Sequence, residues 1–212
     1  MTADKEKIMK QAARVFLVFL VLAPAAIADV SNPEPTKKPD KRFDGLPEAK
    51  QTVLGLYLTP EQAHERWKAD PMKTVVLDVR DPAEYVFVGH APMAYNVPFA
   101  FFNPDVYPKD GKPVMTPNPD FIASVKKVAS PDETLLVMCR SGERGAKACD
   151  ALAKAGYTKV YHIFDGFEGD EIKDPQDVNN GKRMKNGWRN AGLPWTYRMN
   201  RPLLYLPEKT AK

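Results

Sequence analysis

Apolar and polar positions fall into short blocks of two kinds. "TVVLDV" (74–79) and "ETLLVMC" (133–139) are nearly continuous apolar runs and predict strands buried on both faces. "AYNVP" (94–98), stopped by Pro98, and "KVYHIF" (159–164) predict two shorter strands. The blocks between them carry helix-start grammar. In "LYLTPEQAHERWKAD", Thr59 suits the cap, Pro60 the first helical position, and Gln62 completes a capping box. "DPAEY" (81–85) repeats it with Asp81, Pro82 and Glu84. "NPDFIASVKKVA" (118–129) and "GERGAKACDALAKAG" (142–156) predict two more helices. Strands alternating with helices predict an α/β fold, a central parallel sheet with helices on both faces.

Other stretches break the pattern. "VFLVFLVLA" (15–23) follows Lys5, Lys7, Lys10 and Arg14 and precedes Ala26-x-Ala28, a small-x-small cleavage site. Residues 1–28 are expected to be a signal peptide, with an uncleaved anchor as the alternative, and they point to export to the periplasm. Residues 29–55 are rich in Pro, Lys and Asp and predict a linker or arm. Residues 98–119 hold six prolines yet include Phe99, Phe101, Phe102 and Tyr107. Their prolines exclude regular structure for most of the stretch, which reads as an insertion folded onto the core or, less favoured, a functional rim. In the C-terminal extension, 171–212, Gly192 looks like a helix stop, and Trp188 and Trp195 are expected to pin the tail to the domain.

Composition narrows the function classes. The chain has 212 residues and is 43% apolar, enough for one packed domain with appendages. Loss of residues 1–28, with four basic and two acidic side chains, lowers the formal charge from +4 to +2. So weak a balance gives no reason to expect nucleic acid, or a membrane surface after cleavage, as a partner. Cys139 and Cys149 are the two cysteines. With Cys149 about seven residues up a helix, the two lie on the order of 10 Å apart, beyond disulfide reach. Cys149 falls on the helix's apolar face and reads as core.

Cys139 ends a strand, where ligands of parallel sheets bind. "RSGE" then turns into a helix, so loop amides and a helix N-terminus converge on the sulfur. Gly142 permits the tight turn, and Arg140 and Arg144 flank the site. Each feature favours an anion and a thiolate over a thiol. Four residues separate Cys139 from Arg144; cysteine phosphatases and arsenate-handling enzymes use five. The shorter loop suits a sulfur carried on the cysteine better than a phosphate ester.

"CRSGER", with "VLDVRDPAEY", "GHAPMAYNVP" and "AGYTKVYHIFDG", resembles the rhodanese family of sulfurtransferases over about residues 56–170. The resemblance implies a rhodanese-like fold and a nucleophilic Cys139 that takes a sulfur from a donor such as thiosulfate, then passes it to cyanide, a thiol or a protein acceptor. Arg140, Ser141, Gly142, Glu143 and Arg144 would bind the substrate. Arg144 would hold the donor's anionic end and Arg140 tune the field at the mouth. The resemblance also suggests an Arg80–Glu84 ion pair that braces the fold. Three departures stand out: "FDGFEGD" where the family often has Gly-Gly and a tryptophan, Gly145 where serine is frequent, and the negative Glu143 in the loop. His90 is a possible base but more often a structural residue. No His/Cys/Asp cluster has ligand spacing, so no metal or other cofactor is expected. A sulfur-carrier or interaction module with little turnover, docking through the 98–119 loop and the tail, is the competing reading.

Overall fold

The computed structural model describes residue 43 and residues 45–106 and 112–206. The expected leader, most of the arm and residues 107–111 lie outside the described residues. Five parallel strands form the central sheet: β1 (Tyr57–Leu58), β2 (Thr74–Asp78), β3 (Tyr95–Asn96), β6 (Thr134–Met138) and β7 (Val160–Ile163). Their order across the sheet is β1-β7-β6-β2-β3. The helices are α1 (Pro60–Ala69), α2 (Pro82–Phe87), α3 (Phe121–Val128) and α4 (Glu143–Lys154). Both predicted capping boxes are formed, Thr59 with Gln62 and Asp81 with Glu84. Among the described residues no helix is long and apolar enough to cross a membrane.

Side-chain alternation explains the continuous apolar runs. Val75, Leu77, Leu135 and Val137 face one side with Phe121 and Val125 of α3 and Ala148, Cys149 and Leu152 of α4. Val76, Leu136 and Met138 face the other, with Ala63 of α1 and Tyr85 of α2. Both layers are buried, so neither face of the central strands has a polar period.

Three segments differ from expectation. The 98–119 stretch is not wholly irregular: β4 (Ala100–Phe102) pairs antiparallel with β5 (Met115–Pro117). Its prolines are tolerated because a two-stranded ribbon is all edge, with one side of each strand making no ladder bonds. The arm is joined to the domain from Lys50, whose ammonium donates to the Asp170 carboxylate at 3.0 Å. A 3-10 turn, Glu48–Lys50, leads into Val53, whose amide donates to the Asp150 carboxylate at 2.8 Å. Gly192 ends a turn rather than a helix. Trp188 does anchor the tail: it is fully buried in the second layer, and its indole donates to the Pro194 carbonyl at 2.9 Å. Trp195 is 38% exposed and lies against Gly89.

Candidate active site

β6 delivers Cys139 to the carboxyl edge of the sheet, and α4 starts four residues later. Between them Gly142 has φ +114, a left-handed conformation that side chains oppose. A Cβ there would also collide with the Phe164 carbonyl and lie 2.9 Å from Cδ of Lys50. This geometry brings the Gly142 nitrogen, donating its N–H, to 3.2 Å from Cys139 Sγ. The first-turn amides of α4 have no carbonyl one turn earlier within the helix, so they are available to an anion.

Cys139 is 1% exposed and forms the floor of a cleft of about 520 Å³. Arg140, Ser141, Glu143 and Arg144 line the floor beside it. Phe102 and Met115 of the β4–β5 ribbon form one wall, so the insertion is a rim of the site as well as a cover on the core. Glu171 and Arg183, from the C-terminal extension, form another. Arg183 is braced by the Glu171 carboxylate and the Gly169 carbonyl, each at 2.8 Å. No local pattern in the sequence marked either residue.

The arginines are arranged differently from the expectation. Arg144 is bound bidentately by Glu84, with both nitrogen–oxygen distances 2.6 Å. Burial alone would raise the Glu84 carboxyl, but the hydrogen bonds and charge of Arg144 hold it below its usual range. Burial also works against the Arg144 guanidinium, and Glu84 more than offsets it. Arg144 is therefore not an unpaired binding group for a donor. Nor does Arg80 pair with Glu84. It is fully buried, donates to Asp78 at 2.6–3.1 Å, and stacks on the Phe167 ring at 4.2 Å. Asp78 is two residues away on the end of β2 and reaches Arg80 before Glu84 can. Arg140 keeps a buried Nε with no hydrogen-bond partner among the described residues.

Both cysteines are free thiols. Burial, then the neighbouring Asp150 and Cys139, pushes the Cys149 thiol well up, which fits a core residue. His90 is buried, stacks on Tyr85 at 3.8 Å and has Nδ1 3.0 Å from the Tyr85 carbonyl. It does not line the cleft. Gly145 also has a reason. A Cβ there would lie 2.9 Å from Nε2 of buried His162, so the serine frequent in the resembling family would press on that ring. Glu143 is exposed at the first position of α4, where negative charge suits the helix dipole.

The model of the rhodanese-like domain matches residues 59–172. The Arabidopsis thaliana protein HIGH ARSENIC CONTENT 1, mitochondrial, is 34% identical over 110 residues, which span 48% of this chain and 59% of that protein. Thiosulfate sulfurtransferase 16, chloroplastic, of the same plant is 38% identical over 91 residues, 43% of this chain and 68% of the relative. The crystal structure of Rv0390 from M. tuberculosis superposes with a TM-score of 0.52 at 33% identity, covering 66% of this chain and 96% of that one.

Proposed function

The chain belongs to the rhodanese family, whose members include sulfurtransferases, and from that premise we propose that Cys139 carries sulfane sulfur from a small anionic donor to a thiophilic acceptor. The Cys139 thiolate attacks the outer sulfur of a donor such as thiosulfate. A new S–S bond forms, the donor's own S–S bond breaks, and sulfite leaves with the electron pair. Cyanide or a thiolate then takes the outer sulfur and returns Cys139 as thiolate. One observation carries this reading: the Gly142 amide aimed at Cys139 Sγ on a cleft floor beside a helix N-terminus. Loop amides offset charge on the persulfide and on departing sulfite.

The donor's anionic end falls to Arg140 and the loop amides, because Glu84 occupies the guanidinium of Arg144. Arg144 then acts as a braced wall that keeps Glu84 from facing the substrate as a bare charge. Neither step calls for a cofactor.

With thiosulfate and cyanide the protein is expected to form thiocyanate, and Cys139→Ser to form none. With thiosulfate alone, intact-mass measurement should show a gain of one sulfur atom on Cys139. Equal turnover by the wild type and Cys139→Ser sinks the proposal. A protein that loads sulfur yet turns over barely with small acceptors would instead be the carrier, docking partners at the exposed apolar Phe102 of the rim.

A further inference from the structure

His162 takes no part in the sulfur chemistry above, yet it is a polar side chain with no exposed surface. Its ring lies beneath the cysteine loop. The space a Gly145 Cβ would fill is 2.9 Å from His162 Nε2 and 3.6 Å from the Cys139 backbone nitrogen. Nε2 is 2.9 Å from the Gly142 carbonyl oxygen, and Nδ1 is 3.1 Å from that of Lys50. The other groups facing it are the Tyr57 ring of β1, the Lys50 ammonium of the N-terminal strap, and Asp150 of α4. Burial, the largest influence, pushes the imidazole down to about 4, against an upward pull from the two carbonyls. The ring is then neutral near pH 7. A neutral imidazole has one N–H for two carbonyl oxygens, so only one contact is a hydrogen bond.

The Gly142 carbonyl has the greater consequence for the site. It already accepts from the Ala146 amide at 2.9 Å, the first turn of α4. A second donor from below would fill its remaining lone pair. The described peptides are all trans, so the Gly142 carbonyl and the Glu143 N–H point in opposite directions. Holding that carbonyl down turns the Glu143 amide away from His162, toward the side on which Glu143 lines the cleft. Polarising the carbonyl also strengthens the amide across the same peptide as a donor. The other peptide of Gly142 carries the N–H directed at Cys139. Gly142 has no side chain to fix this orientation, so its carbonyl relies on the Ala146 amide and on the His162 ring.

We propose that His162, with its one proton on Nε2, is a positioning residue for Cys139, holding the Gly142 carbonyl so that the flanking amides face the sulfur and its anion. The idea rests on Cys139 being the nucleophile, and its test uses a signal that needs no turnover. On the full chain, the pH profile of Cys139 alkylation by iodoacetamide is compared for wild type, His162→Leu and His162→Gln, with Cys139→Ser as the blank. His162→Leu should move the profile to higher pH and slow sulfur loading from thiosulfate about three- to tenfold. His162→Gln, which retains an N–H donor, should restore most of both, even where the two variants are equally destabilised. Identical profiles for His162→Leu and wild type would overturn the proposal, as would a His162→Gln variant as impaired as His162→Leu. If His162→Leu does not fold, nitrogen NMR of the wild-type imidazole decides: a proton on Nε2 supports the role, and a proton on Nδ1 overturns it. Failure of the sulfur-transfer reading itself would show separately, as unchanged turnover in Cys139→Ser.

Discussion

Glu84 shows how much a single carboxylate can be asked to do. One of its oxygens accepts the Asp81 amide at 3.1 Å and closes the capping box of α2, and both oxygens accept the Arg144 guanidinium. The first role is visible within four residues of sequence. The second joins side chains 60 positions apart, so no local pattern contains it. The same holds for His162, which meets Lys50 across 112 positions. Glu84→Gln keeps the shape and an acceptor for the cap but removes the charge opposite Arg144 and turns one of the two contacts into donor facing donor. We expect a loss of about 1–3 kcal/mol, since the pair is about four-fifths buried. The KM for anionic donors should fall as well, because Arg144 is released toward the cleft. Thermal unfolding and steady-state kinetics on the one variant check both.

At the scale of elements, the apolar runs and caps identified, among the described residues, four of the five strands of the central sheet and all four α-helices, because period and cap chemistry are local properties. β1 escaped because two residues, Tyr57 and Leu58, are too few to show a period. The β4–β5 ribbon escaped because its proline content argues against strands and only pairing across the loop makes one. That ribbon places Phe102, 52% exposed, on the cleft wall. Phe102→Ser should leave stability within about 0.5 kcal/mol, as expected for a half-exposed side chain. It should leave transfer to cyanide unchanged and raise the KM for a bulkier thiol several-fold. Comparison of the two acceptors under one donor is the measurement; an equal effect on both would remove the ribbon from acceptor binding.

At the largest scale the C-terminal extension completes the site, because it supplies a wall through Glu171 and Arg183. Arg183→Ala should raise the KM for anionic donors about three- to tenfold and leave the maximal rate in place. A loss of rate alone would instead assign Arg183 to the structure of the tail. A half-buried carboxyl and a buried imidazole give stability a concealed pH dependence. Burial raises Asp165 from 3.8 to about 6, so between those values the folded state holds more protons than the unfolded one. That contribution falls as pH rises through the window. Burial lowers His162 from 6.5 to about 4, so there the folded state holds fewer protons, and stability rises with pH. The two slopes oppose each other over nearly the same range. Asp165→Asn keeps the acceptor for Asn186, 2.8 Å away, and removes one slope. The variant should be more stable than wild type at pH 7, with a steeper loss on acidification from 6.5 to 4, read from denaturant midpoints across pH.

The near-complete burial of Cys139 bears on which oxidants can reach it. Thiol–disulfide exchange requires three sulfur atoms close to a line, with the incoming disulfide brought against the thiolate. With Cys139 only 1% exposed on a cleft floor, a bulky disulfide has little approach. A triatomic or tetrahedral anion faces no such barrier. In the proposed persulfide the outer sulfur would stand about 2 Å from Sγ, one S–S bond above the floor. The burial of Cys139 would then shelter the resting thiol from accidental cross-linking while a carried sulfur is held out, so that the depth of the floor sorts one kind of encounter from the other.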